Sequence, residues 1–379
     1  MPARQIHLDV TELLQNPVYT GIQRIERELI ANWPGPAALV PLYFDARTDQ
    51  FFELEQATFR RVLVENPLLN HAATSELPGP GHRVDARRLT ILNPELFVCR
   101  NRAQAYIDLA RSGDGQIFWL VMDFLPHLNP NYFSRGAANS CMHYLRALRE
   151  IPHLGFISEQ TRDEFTRRIA RRPDDGPVFM LGGDGLGLER QSFAPEKTAF
   201  LVVGTIEPRK RLADVLEAFE SLWKGGNPAE LHIVGLLQDS AERKKELLAR
   251  LSTQAEMHYH GHASGTLLRD ILRKTRATIF VSDAEGFGLP PYESLHAGIP
   301  VICGSSGVPS LGSIPSNGQI RLAATSPASI ATAVASLMDD AVAERLWQEA
   351  RALPIPSWKR FAHQLSCWVQ GESIGARAV

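Results

Sequence analysis

Two glutamates separated by seven residues, Glu285 and Glu293, flank the glycine- and proline-rich stretch DAEGFGLPPYES (283–294). Glu285 follows the apolar run ATIFVS (277–282), which is typical of a buried strand, so it should lie on the turn after that strand. Two prolines suit the first turn of a helix, and Glu293 follows one turn into it. Both carboxylates would face the crevice beyond the strand, where they could bind sugar hydroxyls or act as an acid–base pair. The alternative is that Glu293 only favours the helix N-terminus and Glu285 is solvated.

Positive charge follows another strand, where AFLVVG runs into TIEPRKR (199–211). Gly204 permits a tight turn, and Arg209, Lys210 and Arg211 then lie near the start of a helix. Free backbone N–H groups at a helix N-terminus favour an anion, so a phosphate or diphosphate site is predicted; the alternative is a solvated basic turn. The stretch matches neither phosphate-loop nor dinucleotide fingerprints, so hydride-transfer dinucleotides are not indicated.

The elements that would position these motifs alternate between short strands and helices. Predicted strands are 4–10, 37–44, 88–93, 116–122, 153–158, 177–181, 199–204, 230–235, 257–261, 277–282 and 300–304. Predicted helices are 20–32, 101–111, 136–150, 159–172, 211–223, 240–251, 264–274, 290–297 and 355–369. Such alternation predicts an α/β protein with parallel sheets covered on both faces, in which ligands bind beyond the carboxyl ends of the strands.

The length of 379 residues favours two doubly wound domains with a cleft between them. The glycine-rich stretch 182–197 is the best candidate linker, which gives an N-terminal domain over 1–185 and a second domain over 186–354. Segment 45–87 shows no clear pattern, and SELPGPGHR (75–83) is typical of a loop.

The bulk composition excludes several classes of protein. A net charge of −2 and a pI of about 6.6 give no indication of nucleic-acid binding. The four cysteines form no CxxC pair, which argues against a disulfide framework or a zinc site and fits a reducing cytoplasm. The sequence shows no apolar signal core and no run of membrane-spanning length. We therefore expect a cytoplasmic protein that could still contact the inner face of the membrane.

Five motifs together carry a family resemblance. EGFGLPPYES (285–294) resembles the E-x7-E signature of retaining glycosyltransferases of the GT-B fold, in the large family 4 group, and GTIEPRKR (204–211) resembles their phosphate turn. YTGIQRIERELI (19–30) is similar to the glycine-containing loop of their first domain. MDFLPHLNPNYF (122–133) and ISEQTRDEF (157–165) resemble stretches of bacterial O-antigen and polysaccharide mannosyl- and rhamnosyltransferases. The likeness covers about residues 20–305.

The resemblance implies a GT-B fold, two Rossmann-like domains facing each other across a cleft, with a C-terminal helix (355–379) that packs back onto the first domain. It also implies transfer of a hexose from a nucleotide diphosphate sugar with retention of configuration and without a cofactor or metal. The implied catalytic residues are Asp123, Arg209, Lys210 and Glu285. The implied donor-binding residues are Gly21, Gly204, Thr205, Arg209, Lys210, Glu285, Gly286, Phe287, Gly288, Leu289 and Glu293.

Each role follows from the position in the matching motif. Arg209 and Lys210 would neutralise the diphosphate; Glu293 would hold the ribose hydroxyls, and Glu285 those of the transferred sugar. The amides of residues 287–289 would lie near sugar and phosphate. Gly21 would let its loop approach the donor, and Asp123 would contact donor sugar or acceptor.

The sequence departs from the family pattern twice. Gly204-Thr205 stands where many relatives have Gly-Arg, so Arg209 and Lys210 carry more of the phosphate charge. Met122 replaces the family histidine before Asp123; His127 either supplies the missing contact or is an ordinary loop residue.

The resulting hypothesis is a glycosyltransferase using GDP-mannose or a related GDP-hexose, with a glycan or lipid-linked acceptor in surface polysaccharide synthesis. The alternatives are another GT-B enzyme, such as a nucleotide-sugar epimerase, and a non-catalytic nucleotide-sugar binding protein.

Two further patterns have mainly structural explanations. A basic helix face (Arg167, Arg168, Arg171 and Arg172) either contacts anionic lipid weakly or is simply solvated. Alternating histidines (His258, His260 and His262) indicate a strand end without acidic partners more than a metal site.

Overall fold

A computed structural model describes residues 5–16, 21–35, 39–55, 81–133, 135–170, 176–238, 241–251, 254–304 and 307–372. The chain divides into two compact units. The first consists of Met1–Leu181 together with Trp358–Val379, and the second is Gly182–Ser357. Some of the predicted positions lie outside the described residues: Tyr19 and Thr20, Arg171 and Arg172, most of the stretch 75–83, and residues 373–379 of the predicted C-terminal helix.

The first unit is built on a seven-stranded sheet in the order β4-β3-β2-β1-β5-β6-β7. Its strands are β1 (Ile6–Asp9), β2 (Leu39–Asp45), β3 (Gln50–Glu53), β4 (His82–Arg83), β5 (Thr90–Asn93), β6 (Gln116–Val121) and β7 (His153–Phe156). The strands from β2 to β7 across the sheet pair in parallel, as predicted, whereas β3 and β4 add an antiparallel edge. Four residues join β2 to β3, too short a connection for a parallel crossover.

Helices cover this sheet: α1 (Thr11–Gln15), α2 (Gly21–Ala31), α3 (Arg100–Ser112), α4 (Leu125–Leu128), α5 (Arg135–Leu148) and α6 (Glu159–Glu164), which continues into a π-helical turn over Phe165–Ile169. An aromatic core fills the layer between sheet and helices, with Trp119 packed against Phe97, Tyr106 and Tyr144. All four rings are at most 1 % exposed. This core fixes α3, which carries Tyr106, and α5, which carries Tyr144, against the sheet.

The second unit contains a six-stranded parallel sheet in the order β10-β9-β8-β11-β12-β13. Its strands are β8 (Ala199–Val203), β9 (Glu230–Val234), β10 (Met257–Tyr259), β11 (Thr275–Phe280), β12 (Val301–Gly304) and β13 (Gln319–Leu322). Its helices are α7 (Leu212–Lys224), α8 (Ala241–Leu251), α9 (Gly265–Lys274), α10 (Leu289–His296), α11 (Pro309–Gly312), α12 (Pro327–Leu337) and α13 (Asp340–Arg351). The strand order reverses at β8, which has β9 on one side and β11 on the other.

Helix α7 shows how local pattern becomes packing in this unit. Its apolar residues recur at three- and four-residue spacing, and Leu212, Val215, Leu216 and Phe219 are all at most 4 % exposed. They join the core formed by β8, β9, β11 and α12. The predicted amphipathic helix over 211–223 is confirmed, and its first residue follows directly on the basic turn.

The last helix, α14 (Trp358–Gln370), belongs to the first unit and contacts α2. Trp358 is 1 % exposed, and Trp368 packs against Phe118 and Phe179 at ring-centroid distances of 4.9 and 5.3 Å. The helix is therefore tied to the first sheet by aromatic contacts.

One predicted strand is wrong. Residues 177–181 form only an isolated bridge, between Val178 and Phe156, and they continue directly into the second unit. The sequence patterns did not assign the strands β3, β4 and β13 or the helices α1, α4, α11, α12 and α13. Within the described residues, no helix combines the length and apolarity needed to cross a bilayer.

Candidate functional site

The ends of two neighbouring strands bring the basic turn and the first glutamate together. Strands β8 and β11 pair in parallel, so the residues that follow them emerge at the same edge of the sheet. Lys210 Nζ donates to Glu285 Oε1 at 2.5 Å, and Arg209 Nη1 lies 2.8 Å from the same oxygen. Two cations thus converge on one carboxylate at the point where the strand order reverses, which is where open α/β sheets bind their ligands.

Further bonds hold these side chains in place. Arg209 donates to both carboxylate oxygens of Glu207, at 3.2 and 2.9 Å, and to the carbonyl of Ala284 at 2.7 Å. Its own carbonyl accepts from the backbone N–H of Asp283 at 2.9 Å. The Lys210 ammonium also lies 4.5 Å from the centre of the Phe280 ring. The basic turn and the glutamate loop are therefore joined through backbone as well as side chains.

The ionisation of the cluster follows from burial and mutual charge. Burial alone would raise the pKa of Glu285, but the charges of Lys210 and Arg209 outweigh it and the pKa is lowered. Burial lowers the pKa of Lys210, and Arg209 adds to that effect against the attraction of Glu285. Burial would lower the pKa of Arg209, but Glu285 and Glu207 raise it. Glu285 is therefore a carboxylate at neutral pH, and Arg209 keeps its positive charge.

Only one oxygen of Glu285 is used in these contacts. Within the part of the chain that the structure describes, Oε2 makes no hydrogen bond, and the side chain keeps 9 % of its surface exposed. That oxygen is free to accept from a ligand hydroxyl while Oε1 stays paired with the cations.

Glycines form the turn that precedes the basic residues. Gly204 follows β8 with φ 122°, and Gly235 follows β9 with φ 152°. A Cβ on Gly235 would lie 1.9 Å from the carbonyl oxygen of Gly204, so the two turns touch backbone to backbone. Thr205, the next residue, is half-buried. Arg211 has φ 55° just before α7, so the turn stores strain at the position where charge is presented.

The segment after Glu285 is also held by close backbone packing. Gly288 precedes α10 with φ 94°, and a Cβ there would lie 2.4 Å from Val308 Cγ1. Ser310 binds this turn twice, through its N–H to the carbonyl of Phe287 and through its hydroxyl to the carbonyl of Gly288, both at 2.9 Å. A glycine is thus needed here for its backbone, as its place in the motif suggested.

The remaining predicted residues of this motif lie on the same loop and helix. Gly286 is half-buried, Leu289 begins α10 and is buried, and Glu293 lies within α10 with 2 % of its surface exposed. Gly298, with φ 80°, follows the end of the helix as expected.

The predicted residues of the first unit lie at the carboxyl edge of the first sheet. Gly21 begins α2, and among the described residues nothing lies within 4 Å of where its Cβ would be, so packing against those residues does not explain this glycine. Asp123 follows β6 and is half-buried; its Oδ1 accepts from the N–H of Leu125 at 3.0 Å. Met122 is fully buried, and His127 lies on α4 and is half-buried. The roles of Gly21, Asp123 and His127 stay predictions.

A buried charge cluster that was not predicted from the sequence lies at the corresponding reversal point of the first sheet, between β1 and β5. Arg102 contacts Asp9 and Glu95, and all three are fully buried. Asp9 also accepts from the backbone and hydroxyl of Thr11, and Glu95 from the N–H of Leu13. These bonds fix the start of α1. The available signal was an acidic residue at or just after the end of each of two predicted strands, Asp9 in IHLDV (6–10) and Glu95 in TILNPE (90–95).

The architecture is that of the GT-B class of glycosyltransferase folds, which confirms the fold that the sequence resemblance implied. Membership of family 4 and retention of configuration stay predictions. Residues 188–352, most of the second unit, match the family described as Glycosyl transferases group 1. In fold, the chain is similar to HepE from Anabaena in complex with UDP (12% identity, TM-score 0.68, 97% of this chain and 100% of that chain). It is also similar to WaaG, described as a glycosyltransferase involved in lipopolysaccharide biosynthesis (11% identity, TM-score 0.60, again 97% and 100%).

In sequence, the chain is similar to the serotype-specific mannosyltransferase WbdA from Escherichia coli, with 24% identity over 333 residues. The match covers 79% of this chain and 37% of WbdA. The chain thus spans little more than a third of the length of this relative.

Proposed function

We propose that this chain is a retaining glycosyltransferase that moves a mannose-like hexose from a nucleotide diphosphate sugar, with GDP-mannose as the first candidate. The acceptor would be a glycan or a lipid-linked saccharide in surface polysaccharide synthesis. The observation that carries the proposal is the convergence of Arg209 and Lys210 on Glu285 at the joined ends of β8 and β11.

The charges of this cluster suit a sugar diphosphate. Arg209 and Lys210 offer two cations with only 11 and 13 % of their side chains exposed, and charge interactions strengthen where water is excluded. A diphosphate would share the cations with Glu285. Oε2 of Glu285 would then accept from a hydroxyl of the sugar attached to that diphosphate. One small cluster can therefore recognise both the charged and the neutral part of the donor.

The proposed reaction forms one bond and breaks one bond at the anomeric carbon. The acceptor oxygen bonds to that carbon on the face from which the diphosphate departs, while the carbon–phosphate oxygen bond breaks. The acceptor proton passes to the departing diphosphate oxygen. Arg209 and Lys210 stabilise the negative charge that develops on the diphosphate, a preorganised electrostatic effect. No protein nucleophile and no metal are used, so Glu285 positions the sugar and is not a base.

Support for a mannosyl donor comes from WbdA, whose name specifies a mannosyltransferase, and from the MDFLPHLNPNYF stretch. The nucleotide base has less direct support, because the HepE structure contains UDP and not GDP. We propose GDP first because of the likeness to mannosyltransferases, and we test the other bases beside it.

The predicted membrane contact rests on the basic helix face. Arg167 is exposed but pairs with Asp163 at 3.2 Å, which reduces the charge available to lipid. We propose at most a weak, salt-sensitive contact through Arg167 and Arg168, measurable by flotation with anionic vesicles at low and high salt.

The deciding experiment gives the purified chain a panel of GDP, UDP, ADP and dTDP sugars, with and without acceptor glycans. Nucleotide release and glycan mass are measured, and NMR assigns the anomeric configuration of the product. A thermal shift with each donor reports binding separately, because a bound ligand stabilises the fold by mass action. We expect the productive donor to raise Tm and to release nucleotide faster when acceptor is present.

Two results would replace the proposal with its alternatives. A donor converted to another sugar nucleotide without any acceptor would indicate an epimerase. A donor that raises Tm but gives no product across a broad acceptor panel would indicate a binding protein.

A further inference from the structure

A group of histidines and one carboxylate lies on the edge of the second sheet, and its members come from two strands. Glu230 and His232 belong to β9; His258 belongs to β10, and His260 follows it. His232 and His258 are direct partners in the parallel register. Since side chains alternate along a strand, residues two apart share a face, and all four side chains lie on the same face of the sheet. We call these four residues the histidine cluster.

The distances within the cluster are close to those of a metal site. His232 Nε2 lies 3.5 Å from Glu230 Oε2, and His258 Nε2 lies 3.7 Å from the same oxygen. The expectation that the histidines of this strand have no acidic partner is therefore wrong, because Glu230 comes from the neighbouring strand. One ligand atom from each of the three residues lies within 4.8 Å of the others. Bonds of about 2.0–2.1 Å in a tetrahedral zinc site separate ligand atoms by about 3.3 Å. Small side-chain rotations would therefore place all three around one ion.

His260 supplies the outer contact that metal-binding histidines usually have. Its Nε2 lies 3.1 Å from His232 Nδ1, and the two rings are nearly parallel, at 14°. A metal on Nε2 of His232 would leave a proton on Nδ1, which would donate to His260. Such a second hydrogen bond fixes the orientation of a ligand ring and makes it more basic.

The cluster is also accessible and distinct from the diphosphate site. His232 is largely covered, with 13 % of its side chain exposed, whereas His258 and Glu230 keep 39 and 44 %. An ion could therefore enter from solvent and meet one fixed and two adjustable ligands. Glu230 is the first residue of β9, whereas Gly235, which contacts Gly204, follows the end of that strand. Glu230 and the basic turn thus lie at opposite ends of β9.

We propose that Glu230, His232 and His258 form a binding site for one divalent transition-metal ion of the zinc type, with His260 as the outer hydrogen-bond partner. Imidazole and carboxylate ligands suit zinc, with nickel, cobalt and copper as competitors, whereas calcium and magnesium require mainly oxygen ligands. The ion would link the three-residue edge strand β10 to β9. Its effect is on the stability of the second unit, and the proposed sugar transfer does not depend on it.

The test uses the full chain without an affinity tag, freed of metal by a chelator and then titrated with zinc chloride. Calorimetry and elemental analysis after desalting give affinity and stoichiometry. We expect one zinc ion per chain and a higher Tm with zinc. His258→Ala and Glu230→Gln should each weaken binding at least 10-fold, and His260→Ala about 10–100-fold. His262→Ala is the matched control, because this exposed histidine lies just outside the cluster and should leave binding unchanged.

His258 and Glu230 are both partly exposed, so we expect both variants to fold, and circular dichroism checks this. The proposal is overturned if the wild type binds zinc no more tightly than His258→Ala and Glu230→Gln do. It is also overturned if His262→Ala loses as much zinc affinity as those two variants. We expect zinc removal to leave donor turnover unchanged. The outcome of the zinc titration is therefore independent of the proposed transferase activity.

Discussion

Lys210 and Glu285 are 75 positions apart in the chain, yet Nζ of the lysine lies 2.5 Å from Oε1 of the glutamate. The contact exists because β8 and β11 are neighbours in the sheet and each strand ends just before one of the two motifs. It turns two separate sequence signals into one charged cluster, and the following predictions test what that cluster and its surroundings do.

Replacing Lys210 with methionine should remove a cation from the proposed diphosphate site while keeping a long apolar stem above Phe280. We expect kcat/KM for the productive donor to fall by about 10²–10³, since removing a single preorganised charge contact has effects of that order. Steady-state kinetics and donor titration measure the loss. Lys224→Met, at the exposed end of α7, is the control; equal activity of the two variants would contradict the assignment.

Replacing Glu285 with glutamine should lower stability in a pH-dependent way. The variant leaves Arg209 and Lys210 close together without their shared carboxylate, and we expect a loss of about 1.5–3 kcal/mol at neutral pH. Because the folded-state pKa of Glu285 is below its ordinary value of 4.5, the stabilisation is fully present above about pH 4.5 and disappears as the pH falls through the folded-state pKa.

Urea unfolding of wild type and Glu285→Gln between pH 3 and 7 measures this difference. The difference in the free energy of unfolding between the two proteins should become smaller as the pH is lowered. The exposed Glu217→Gln on α7 should track the wild type at every pH, and a gap that instead widens in acid would show that the ion pairs do not stabilise the fold.

Replacing Gly288 with alanine should disturb the loop after Glu285. Its φ of 94° is unfavourable for alanine, and the new Cβ would lie 2.4 Å from Val308. A strained backbone position of this kind costs on the order of 1–3 kcal/mol, so Tm should fall and donor affinity with it. Unaltered Tm and kinetics would mean that the loop can relax freely.

Replacing Gly21 with alanine should not lower Tm, in contrast to the replacement of Gly288. A Cβ there meets none of the described residues within 4 Å, and alanine favours a helix, so Tm should stay constant or rise slightly. If this glycine serves donor binding, as the family resemblance implies, the KM for the donor should rise in the same variant. Unchanged kinetics would remove Gly21 from the donor-binding set.

Replacing Arg102 with methionine should destabilise the first unit strongly. The variant leaves Asp9 and Glu95 buried without their counter-charge, and breaking a buried ion pair in this way costs about 3–5 kcal/mol. Urea unfolding should show the loss. Arg87→Met, which breaks an exposed pair with Asp85, should produce no measurable change; similar losses in both variants would refute the distinction.

Much of this protein could be inferred from local pattern. The amphipathic spacing of α7, the glycine turn after β8, the two prolines at the start of α10 and the strand–helix alternation are written in neighbouring residues. They were sufficient to predict an α/β protein with parallel sheets and the basic turn, whereas the GT-B class came from the resemblance of the motifs to a known family. They failed for 177–181, where an apolar stretch pairs only through Val178, because a strand depends on its partner and not only on its own residues.

The sequence by itself determined which residues follow strands, since burial periodicity and turn chemistry act over a few positions. Only the tertiary structure decided which strands are neighbours, and hence that Glu285 meets Lys210, that Arg102 neutralises Asp9 and Glu95, and that Glu230 and His232 join His258. Strand order and register are set by the packing of whole sheets and helices, so contacts between distant residues have no local signal to read.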